Sequence, residues 1–257
     1  MQTKTTYQAE NSQEALNIYS GVYGDLYRKA HSRVIKKMLS KIFKGSDWRS
    51  LKILEIGGGG GFWTDFFLKA GADVACVDVY KEILEGNQKL HPEAKFILGD
   101  ATVLKFDEKF DFIFVKDVIE HIERDEGFLK NMSGHIKEGG IIMLTTQNSF
   151  SLNYLVEGLF WNFLLKKNKN WCGWDPTHVR FYNFKSLDKK LKEASFKAER
   201  WFSAYHLPYR IITRRIPFGE KLEFKILHSI ELAGLYDKFP FNITGWNIGV
   251  IAKKITK

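Results

Sequence analysis

The chain has 257 residues, of which 44% are hydrophobic and 15% aromatic, so it can bury a core of domain size. Its longest apolar stretch, Tyr154 to Leu165, is interrupted by Glu157 and Asn162 and falls short of the roughly 20 residues that span a bilayer. A polar N-terminus and only two cysteines argue against a secretory signal and a disulfide framework, so we expect a cytoplasmic protein.

The charge of the chain is unevenly distributed. The formal net charge is +9, yet residues 151–257 carry 19 Lys and Arg residues against 9 Asp and Glu residues. The first 150 residues are close to neutral, with 20 basic and 21 acidic residues. The basic part therefore forms either a solvated surface or a contact with an anionic substrate or membrane.

Strand patterns alternate with helix patterns along most of the chain. An amphipathic helix is predicted over residues 34–43, where apolar residues recur at helical spacing before Gly45. Short apolar strands are predicted over residues 52–56, 73–80, 94–101, 109–117, 141–148 and 247–255. Helices are predicted over residues 62–71, 81–90, 126–140 and 185–194. This alternation predicts a doubly wound parallel sheet with ligands at the carboxyl ends of the strands.

Five consecutive glycines, Gly57 to Gly61, connect the first of these strands to a helix. Glycine lets a ligand approach the backbone without a Cβ atom in the way, and a helix N-terminus offers unpaired N–H groups. The spacing of Gly57, Gly59 and Gly61 fits G-x-G-x-G. Dinucleotide sites use G-x-G-x-x-G, which would need glycine at Phe62 or Trp63. The loop is therefore predicted to bind a small polar ligand other than a dinucleotide.

The segment "EIGGGGG", Glu55 to Gly61, resembles the first motif of the class I S-adenosylmethionine-dependent methyltransferases, an acidic residue followed by alternate glycines. Four further segments are similar to the family in the same order: "VACVDVY", "ILGDA", "FDFIFVKDVIEHI" and "IKEGGIIMLTTQN". The resemblance implies an α/β fold, a Rossmann-like doubly wound seven-stranded sheet that is mostly parallel with its last strand antiparallel. It also implies S-adenosyl-L-methionine as the cofactor.

The same resemblance assigns cofactor contacts to individual residues. Asp78, with Val79 beside it, stands where the family places a carboxylate that accepts both ribose hydroxyls. Asp100 stands where an acidic residue meets the adenine amino group, with Ala101 supplying backbone beside it. Taken singly, the two aspartates could instead cap a helix or shape a polar turn. The predicted cofactor-binding residues are Glu55, Gly57, Gly59, Gly61, Asp78, Val79, Asp100, Ala101 and Asp117.

Two histidine segments mark the predicted reacting end. "DVIEHI" follows the fourth strand, and "DPTHVRFYNF" resembles the branch of the family that contains the ubiquinone-biosynthesis O-methyltransferases. In that branch an Asp-x-x-His segment precedes a helix beside the acceptor pocket. A base that removes the proton of a hydroxyl or amine acceptor assists methyl transfer, and histidine has a suitable pKa. Glu120, His121 and His178 are therefore the predicted catalytic residues.

Two other interpretations of these residues stay open. The histidines can be hydrogen-bonded groups that only shape the pocket, because buried polar side chains are usually satisfied in this way. Alternatively, Asp117, Glu120, His121 and His178 resemble the ligand set of small-RNA 2′-O-methyltransferases, which implies a divalent metal. That family prefers Glu at the position of Asp117, so the need for a metal is left open.

We expect a single methyltransferase domain over residues 1–257. Residues 49–149 would form its cofactor-binding core and residues 1–48 an N-terminal helical cap, with substrate-side insertions over residues 150–182 and 205–245. The first insertion is rich in aromatic residues, which would form the core of a helical cap or line an apolar acceptor pocket. The second alternates basic with bulky apolar residues, a pattern that favours peripheral membrane contact.

The sequence thus predicts methyl transfer from S-adenosylmethionine to a small-molecule or lipid-linked acceptor, with oxygen preferred over nitrogen. Two other functions stay open. A nucleic-acid methyltransferase of the RNA 2′-O type would use the basic part of the chain on phosphates, but no segment resembles a nucleic-acid-binding module. A catalytically silent S-adenosylmethionine-binding protein would keep the glycine loop without a productive acceptor pocket.

Overall fold

The computed structural model describes most of the chain between residues 22 and 255. The described residues are 22–168, 171, 173, 175, 177–207, 225–226 and 228–255, with the backbone alone described for residues 22–29. Residues 1–21 of the predicted cap, residues 208–224 of the second predicted insertion, and Trp174 lie outside this set.

The described strands form one seven-stranded sheet. In chain order they are β1 Lys52–Ile56, β2 Asp73–Asp78, β3 Lys95–Leu98, β4 Phe110–Lys116, β5 Ile136–Gln147, β6 Phe196–Ala204 and β7 Asn247–Lys254. Their order in the sheet is β3-β2-β1-β4-β5-β7-β6. The first five strands pair in parallel, whereas β7 runs antiparallel to both β5 and β6. The predicted fold class, a doubly wound and mostly parallel seven-stranded sheet, is confirmed.

Helices connect the strands and cover the sheet. They are α1 Val22–Ile42, α2 Phe62–Lys69, α3 Lys81–Leu90, α4 Asp125–His135, α5 Phe184–Glu193, α6 Ser229–Leu232 and α7 Phe241–Thr244. A π-helix, Tyr154–Leu165, follows β5, and a short 3₁₀ helix, Ile119–His121, follows β4. The first helix is longer than predicted: the structure describes it from Val22, whereas its predicted start was residue 34.

The sheet has a buried cluster on each face, because successive side chains of a strand point to opposite sides. Leu54 of β1 belongs to the cluster that includes Phe128 of α4 and Leu187 of α5. Its neighbour Ile53 belongs to the other cluster, with Leu39 of α1. Each fully buried side chain of this size stabilises the fold by about 1.5–3 kcal/mol. Because helices cover both faces of the sheet, we expect ligands to bind at the carboxyl ends of the parallel strands.

One predicted helix extends too far along the sequence. The helix expected over residues 126–140 ends at His135, and β5 already begins at Ile136. Ile136 pairs with Phe110 of β4 before an irregularity shifts the register. A Cβ atom at Gly140 would lie 3.1 Å from the backbone oxygen of Asp111, closer than a side chain normally allows. The glycines of this segment therefore serve strand pairing rather than a helix.

Within the described ranges, no helix combines the length and the apolar character that crossing a membrane requires. The division of residues 1–257 into a core, a cap and two insertions stays a prediction. The structure contributes one observation to it, since α1 packs directly on the sheet through residues such as Val34 and Met38.

Candidate active site

The glycine loop after β1 has a backbone that favours glycine. Gly57, Gly59 and Gly61 have φ angles of 79°, 49° and 76°, in the left-handed region. A Cβ atom at Gly57 would lie 2.6 Å from Cγ2 of Val118. One at Gly61 would lie 2.7 Å from Oδ1 of Asn87. At Gly59, by contrast, no described atom comes within 4 Å of that position, which leaves backbone that a ligand can approach.

Glu55 lies beneath this loop in β1. Its side chain is 1% exposed, and Oγ1 of Thr64 donates a 2.6 Å hydrogen bond to its Oε2. Burial raises the pKa of Glu55 to about 8, and the neighbouring carboxylate of Asp78 acts in the same direction. Glu55 is therefore mainly a neutral carboxyl at pH 7, and it supports the loop from inside the protein.

Asp78 ends β2 beside the glycine loop. The N–H of Tyr80 donates a 3.0 Å hydrogen bond to its Oδ1, and the N–H of Gly59 lies 3.4 Å from its Oδ2. Burial raises the pKa of Asp78, although these backbone N–H groups act in the opposite direction. The next residue, Val79, is 40% exposed and offers an apolar side chain to a ligand at this edge.

The loop after β3 is fixed by hydrogen bonds on two sides. Oδ1 of Asp100 accepts a 2.8 Å hydrogen bond from the N–H of Thr102, in an Asx turn. Nδ2 of Asn131 on α4 donates to the carbonyls of Ala101 and Leu104, at 2.9 and 2.8 Å. These hydrogen bonds hold the loop in one conformation. A fixed conformation is needed if the backbone of Ala101 is to recognise a ligand.

The predicted cofactor residues therefore meet at one edge of the sheet. Glu55, Asp78 and Asp100 stand at or directly after the ends of β1, β2 and β3. The N–H of Gly99 donates a 3.0 Å hydrogen bond to the carbonyl of Asp78, which joins two of these loops. An approachable glycine loop beside a carboxylate suits a nucleoside, whose ribose hydroxyls donate hydrogen bonds. The residues fit S-adenosylmethionine, and the individual contacts of Asp78 and Asp100 stay predictions.

Asp117 stands directly after β4 with a φ of 52°, an uncommon conformation for a residue other than glycine. Its Oδ1 accepts hydrogen bonds from Oγ1 of Thr145 and Nδ2 of Asn247, both at 2.7 Å. Its Oδ2 accepts a 2.6 Å hydrogen bond from Nζ of Lys116 and lies 3.9 Å from Nδ1 of His31. Burial alone would raise the pKa of Asp117, but these partners outweigh it, and the pKa is lowered. Asp117 is thus a firmly held anion.

The three predicted catalytic residues lie together. Glu120 and His121 are buried in the 3₁₀ helix after β4, at 1% and 4% exposure. The ring centroids of His121 and His178 are 4.5 Å apart. Each of the three residues offers an atom that can bind a metal, and these atoms all lie within 4.8 Å of one another. The N–H of Val179 donates a 2.9 Å hydrogen bond to the carbonyl of Glu120, which joins the two segments.

Burial sets the protonation of this cluster. It raises the pKa of Glu120 well above its ordinary value, the charge of Asp117 adds to the shift, and Oγ1 of Thr146 donates a 2.9 Å hydrogen bond to Oε2. Burial also lowers the pKa of His121 to about 4, and His178 acts in the same direction. At neutral pH the cluster therefore combines a carboxyl whose ionisation burial disfavours with a neutral His121 that can accept a proton.

The same three side chains suit a divalent metal. Two imidazoles and one carboxylate match the nitrogen and oxygen ligands that zinc and related metals take. In the metal interpretation Asp117 would be a fourth ligand, but the group found among the described residues does not include it. Its carboxylate is engaged with Thr145 and Asn247 instead. Metal binding would require Glu120 in its ionised form, since a ligating carboxylate must be deprotonated.

Several residues that position the site escaped the sequence analysis. They are uncharged side chains that donate one hydrogen bond each to a predicted site residue, and no local motif marks them. These residues are Thr64 to Glu55, Asn87 to Gly59, Thr145 and Asn247 to Asp117, and Thr146 to Glu120. Spacing along the chain offers no signal for most of them, because donor and acceptor lie on different elements.

The aromatic residues of the first predicted insertion fall into two groups. Trp171 packs with Tyr154, Phe181 and Trp246, at ring-centroid distances of 6.1, 5.5 and 6.4 Å. Trp161, on the π-helix, is 48% exposed. The packed group around Trp171 agrees with the interpretation of these aromatic residues as core, and it joins the insertion to the start of β7. Trp161 instead faces outwards.

The strand order, the glycine loop after β1 and the acidic residues after β2, β3 and β4 define a Rossmann-like protein that binds a nucleoside cofactor. The family model described as "Methyltransferase domain" matches residues 26–200. The chain therefore belongs to the methyltransferase domain family. The predicted class, a class I S-adenosylmethionine-dependent methyltransferase with S-adenosyl-L-methionine as its cofactor, is confirmed.

Curated relatives are similar to the chain over part of their length, at about a quarter to a third sequence identity within the aligned segments. A ubiquinone biosynthesis O-methyltransferase of Rickettsia typhi is 29% identical over 168 residues, which cover 63% of this chain and 65% of the relative. A protein of the same name from Pelagibacter ubique is 31% identical over 143 residues, covering 52% of this chain and 59% of the relative. The chain thus matches about 65% or less of the length of these two relatives.

Solved structures share the fold at low sequence identity. Magnesium protoporphyrin IX methyltransferase of Synechocystis, with bound S-adenosylhomocysteine, superposes with a TM-score of 0.61 at 15% identity, covering 93% of this chain and 92% of that one. A methyltransferase dependent on S-adenosylmethionine from Archaeoglobus fulgidus superposes with a TM-score of 0.56 at 19% identity, covering 91% and 100%. Both carry the architecture described above.

Proposed function

We propose that the chain transfers a methyl group from S-adenosylmethionine to a hydroxyl oxygen of a small-molecule or lipid-linked acceptor. The observation that carries the proposal is the buried cluster of Glu120, His121 and His178. Val118 lies against the glycine loop at Gly57, and the cluster begins two residues later in the chain, which supports a position of the cluster near this loop. The names of the Rickettsia and Pelagibacter relatives favour oxygen as the acceptor atom.

The reaction asks little of the protein beyond positioning and proton removal. The cofactor supplies a methyl group activated on a sulfonium sulfur. The acceptor oxygen bonds to the methyl carbon while its hydroxyl proton moves to a ring nitrogen of His121, and the sulfur keeps the electron pair of the broken bond. A neutral imidazole can take this proton, and the lowered pKa of His121 keeps it neutral at pH 7. Burial of the cluster excludes water from the transfer.

A divalent metal is the alternative way to remove the proton. Glu120, His121 and His178 would hold it, and the metal would lower the pKa of the acceptor hydroxyl. Exhaustive chelation separates the two mechanisms. Activity that disappears with the chelator and returns with zinc or magnesium supports the metal, whereas unchanged activity supports His121 as the base. A His178→Ala variant adds a second measurement, since it should reduce the metal content of the purified protein in the first case only.

The function itself is tested with methyl-labelled cofactor and an extract of the host cell. Label that enters organic solvent or aqueous metabolites supports the proposal, whereas label in nucleic acid supports the RNA-methylating alternative. His121→Asn should reduce incorporation by about 100-fold or more, the usual contribution of a general base. Asp73→Asn, at an exposed aspartate that begins β2, is the control and should retain incorporation. No incorporation at all by the wild type would favour the catalytically silent protein.

Peripheral membrane contact is the second part of the proposal, and it concerns the surface around the π-helix. Large apolar side chains are 41–68% exposed there: Phe150, Leu152, Leu155, Leu159, Phe160, Trp161, Leu164 and Leu165. Lys166 and Lys167 follow directly and are exposed. A basic edge beside apolar side chains suits an anionic lipid surface. A lipid-linked acceptor would reach the enzyme at this surface. The compartment that we propose is the cytoplasm, where a free thiol such as that of Cys76 stays reduced.

Sedimentation with lipid vesicles tests this contact. The protein should bind vesicles that contain phosphatidylglycerol more strongly than vesicles of phosphatidylcholine alone. The double variant Trp161→Glu, Leu164→Glu should lose this binding, whereas Leu90→Glu, at an exposed leucine on α3, should not. Equal sedimentation of both variants, or a dimer in solution that the double variant separates, would contradict membrane contact and indicate a protein partner instead.

A further inference from the structure

Asp175 and the ring of His121 are linked by the side chain of Thr177. Oγ1 of Thr177 donates a 2.6 Å hydrogen bond to Oδ1 of Asp175, and the same oxygen lies 2.9 Å from Nδ1 of His121. The N–H of Thr177 donates a further 2.9 Å hydrogen bond to Oδ1 of Asp175. Neither Asp175 nor Thr177 is among the predicted site residues, although both belong to the segment "DPTH".

Counting hydrogens decides the direction of each bond. A threonine hydroxyl has one hydrogen to donate, and an ionised carboxylate can only accept. Burial alone would raise the pKa of Asp175, but the hydrogen bonds from Thr177 outweigh it, and the pKa is lowered. Because Thr177 gives its hydrogen to Asp175, its oxygen can only accept from His121. The hydrogen of a neutral His121 ring therefore lies on Nδ1, and the lone pair lies on Nε2.

We propose that Asp175 and Thr177 are positioning residues that hold His121 as the Nδ1–H tautomer, so that Nε2 is the atom that accepts a proton or binds a metal. The opposite tautomer would require Thr177 to turn its hydrogen toward Nδ1 and withdraw it from the carboxylate of Asp175. The role in catalysis rests on the proposed function, whereas the tautomer can be measured without any methyl transfer.

Asp175 also lies near the second histidine of the cluster, with Nε2 of His178 at 3.9 Å from its Oδ2. A change at Asp175 therefore acts on both rings. Thr177 touches His121 through its hydroxyl, so a change of that hydroxyl alone is the sharper test. Thr177→Val removes the hydroxyl at nearly constant shape, and Thr177→Ser keeps it.

The experiment is nitrogen NMR of the histidine rings in protein labelled with ¹⁵N-histidine, in buffer with EDTA at about pH 7.5, where tautomers give distinct nitrogen shifts. The chain has 7 histidines, and the signal of His121 is assigned by its loss in His121→Asn. We expect the Nδ1–H tautomer in the wild type and in Thr177→Ser, and a shift toward Nε2–H in Thr177→Val. A wild-type Nε2–H tautomer, or a Thr177→Val spectrum like the wild type, would overturn the proposal.

Two further measurements distinguish a local effect on His121 from general damage to the site. S-adenosylhomocysteine should bind each Thr177 variant within about twofold of the wild type, because the cofactor loop is not altered. Methyl incorporation should fall in Thr177→Val and return in Thr177→Ser. If Thr177→Val does not fold, Asp175→Asn replaces it, because an amide can donate to Thr177 and should release the tautomer. A wild type without methyl transfer but with the Nδ1–H ring would sink the proposed function and leave the tautomer standing.

Discussion

Nδ2 of Asn247, the first residue of β7, donates a 2.7 Å hydrogen bond to Oδ1 of Asp117, which follows the end of β4. The strand β5 lies between the two strands in the sheet, and its Thr145 donates to the same oxygen. The arrangement is possible because β7 is antiparallel, which puts its first residue at the edge where β4 and β5 end. The antiparallel strand β7 thus contributes a side chain to the edge of the sheet at which the cofactor is predicted to bind.

The first prediction concerns this hydrogen bond. Asn247→Ala should reduce the free energy of unfolding by about 1–3 kcal/mol, the usual cost of leaving a buried acceptor short of a donor. Asn247→Asp should be more damaging, because it would place a second carboxylate against Asp117. Urea unfolding of the three proteins measures both effects. Equal stability of Asn247→Asp and Asn247→Ala would show that Asp117 is not held as an anion.

The second prediction concerns cofactor binding by Asp78. Asp78→Ala should weaken binding of S-adenosylhomocysteine by roughly 10-fold to 100-fold, since hydrogen bonds to a charged group contribute about 1.5–3 kcal/mol. The control is Asp73→Ala, at an exposed aspartate that begins the same strand. Titration calorimetry gives both affinities. A wild-type affinity in Asp78→Ala would remove this residue from the cofactor site.

The third prediction concerns the buried carboxyl of Glu55. The pKa of Glu55 is about 8 in the folded protein against 4.5 ordinarily, so between these values the folded state keeps a proton that the unfolded chain has lost. The stability contribution of this proton is therefore complete below about pH 4.5 and is lost as the pH rises toward 8. Each unit of this difference is worth about 1.4 kcal/mol.

A Glu55→Gln variant checks this sign, because glutamine keeps the shape of the neutral carboxyl. Its stability should match that of the wild type at about pH 5 and exceed it by about 2 kcal/mol or more at pH 8, since the difference spans several pKa units. Urea unfolding at both pH values measures it. Parallel changes in the two proteins would mean that Glu55 is ionised in the folded state.

The fourth prediction concerns a buried contact between His206 and Glu231 beside the end of β6. Nδ1 of His206 lies 3.0 Å from Oε1 of Glu231, and Nε2 lies 2.8 Å from the carbonyl of Phe241. Burial alone would raise the pKa of Glu231, but His206 outweighs it, and the pKa is lowered. The ring of His206 thus lies between a buried carboxylate and a backbone carbonyl, and its contact with Glu231 holds that carboxylate in place.

Glu231→Gln should therefore destabilise the protein by about 1.5–3 kcal/mol, because it removes a buried hydrogen bond to a charged group. Glu193→Gln, at a surface ion pair on α5, should change stability by less than about 1 kcal/mol. The contribution of Glu231 is present above its ordinary pKa and is lost on acidification, so the two variants should converge at low pH. Similar losses in both variants at neutral pH would contradict this role of Glu231.

The sequence by itself determined the class of the protein and predicted the edge of the sheet at which the cofactor binds. The glycine loop from Gly57 to Gly61 and the aspartates Asp78 and Asp100 were recognised because they stand at fixed distances from short apolar strands. The chemistry they serve is local, since each residue acts within a few positions of the strand that carries it. In a parallel sheet the ends of such strands meet at one edge, so their arrangement in space followed from their order.

Only the tertiary structure decided which side chains hold the reacting groups and in which protonation state. The hydrogen bonds between Asn247 and Asp117 and between Thr177 and His121 join distant parts of the chain, so no sequence spacing predicts them. Burial raises the pKa of Glu120 and lowers that of His121, and it depends on packing rather than on neighbours in sequence. The solvent exposure of apolar side chains on the π-helix also depends on packing, because an apolar stretch has the same sequence pattern whether it is buried or exposed.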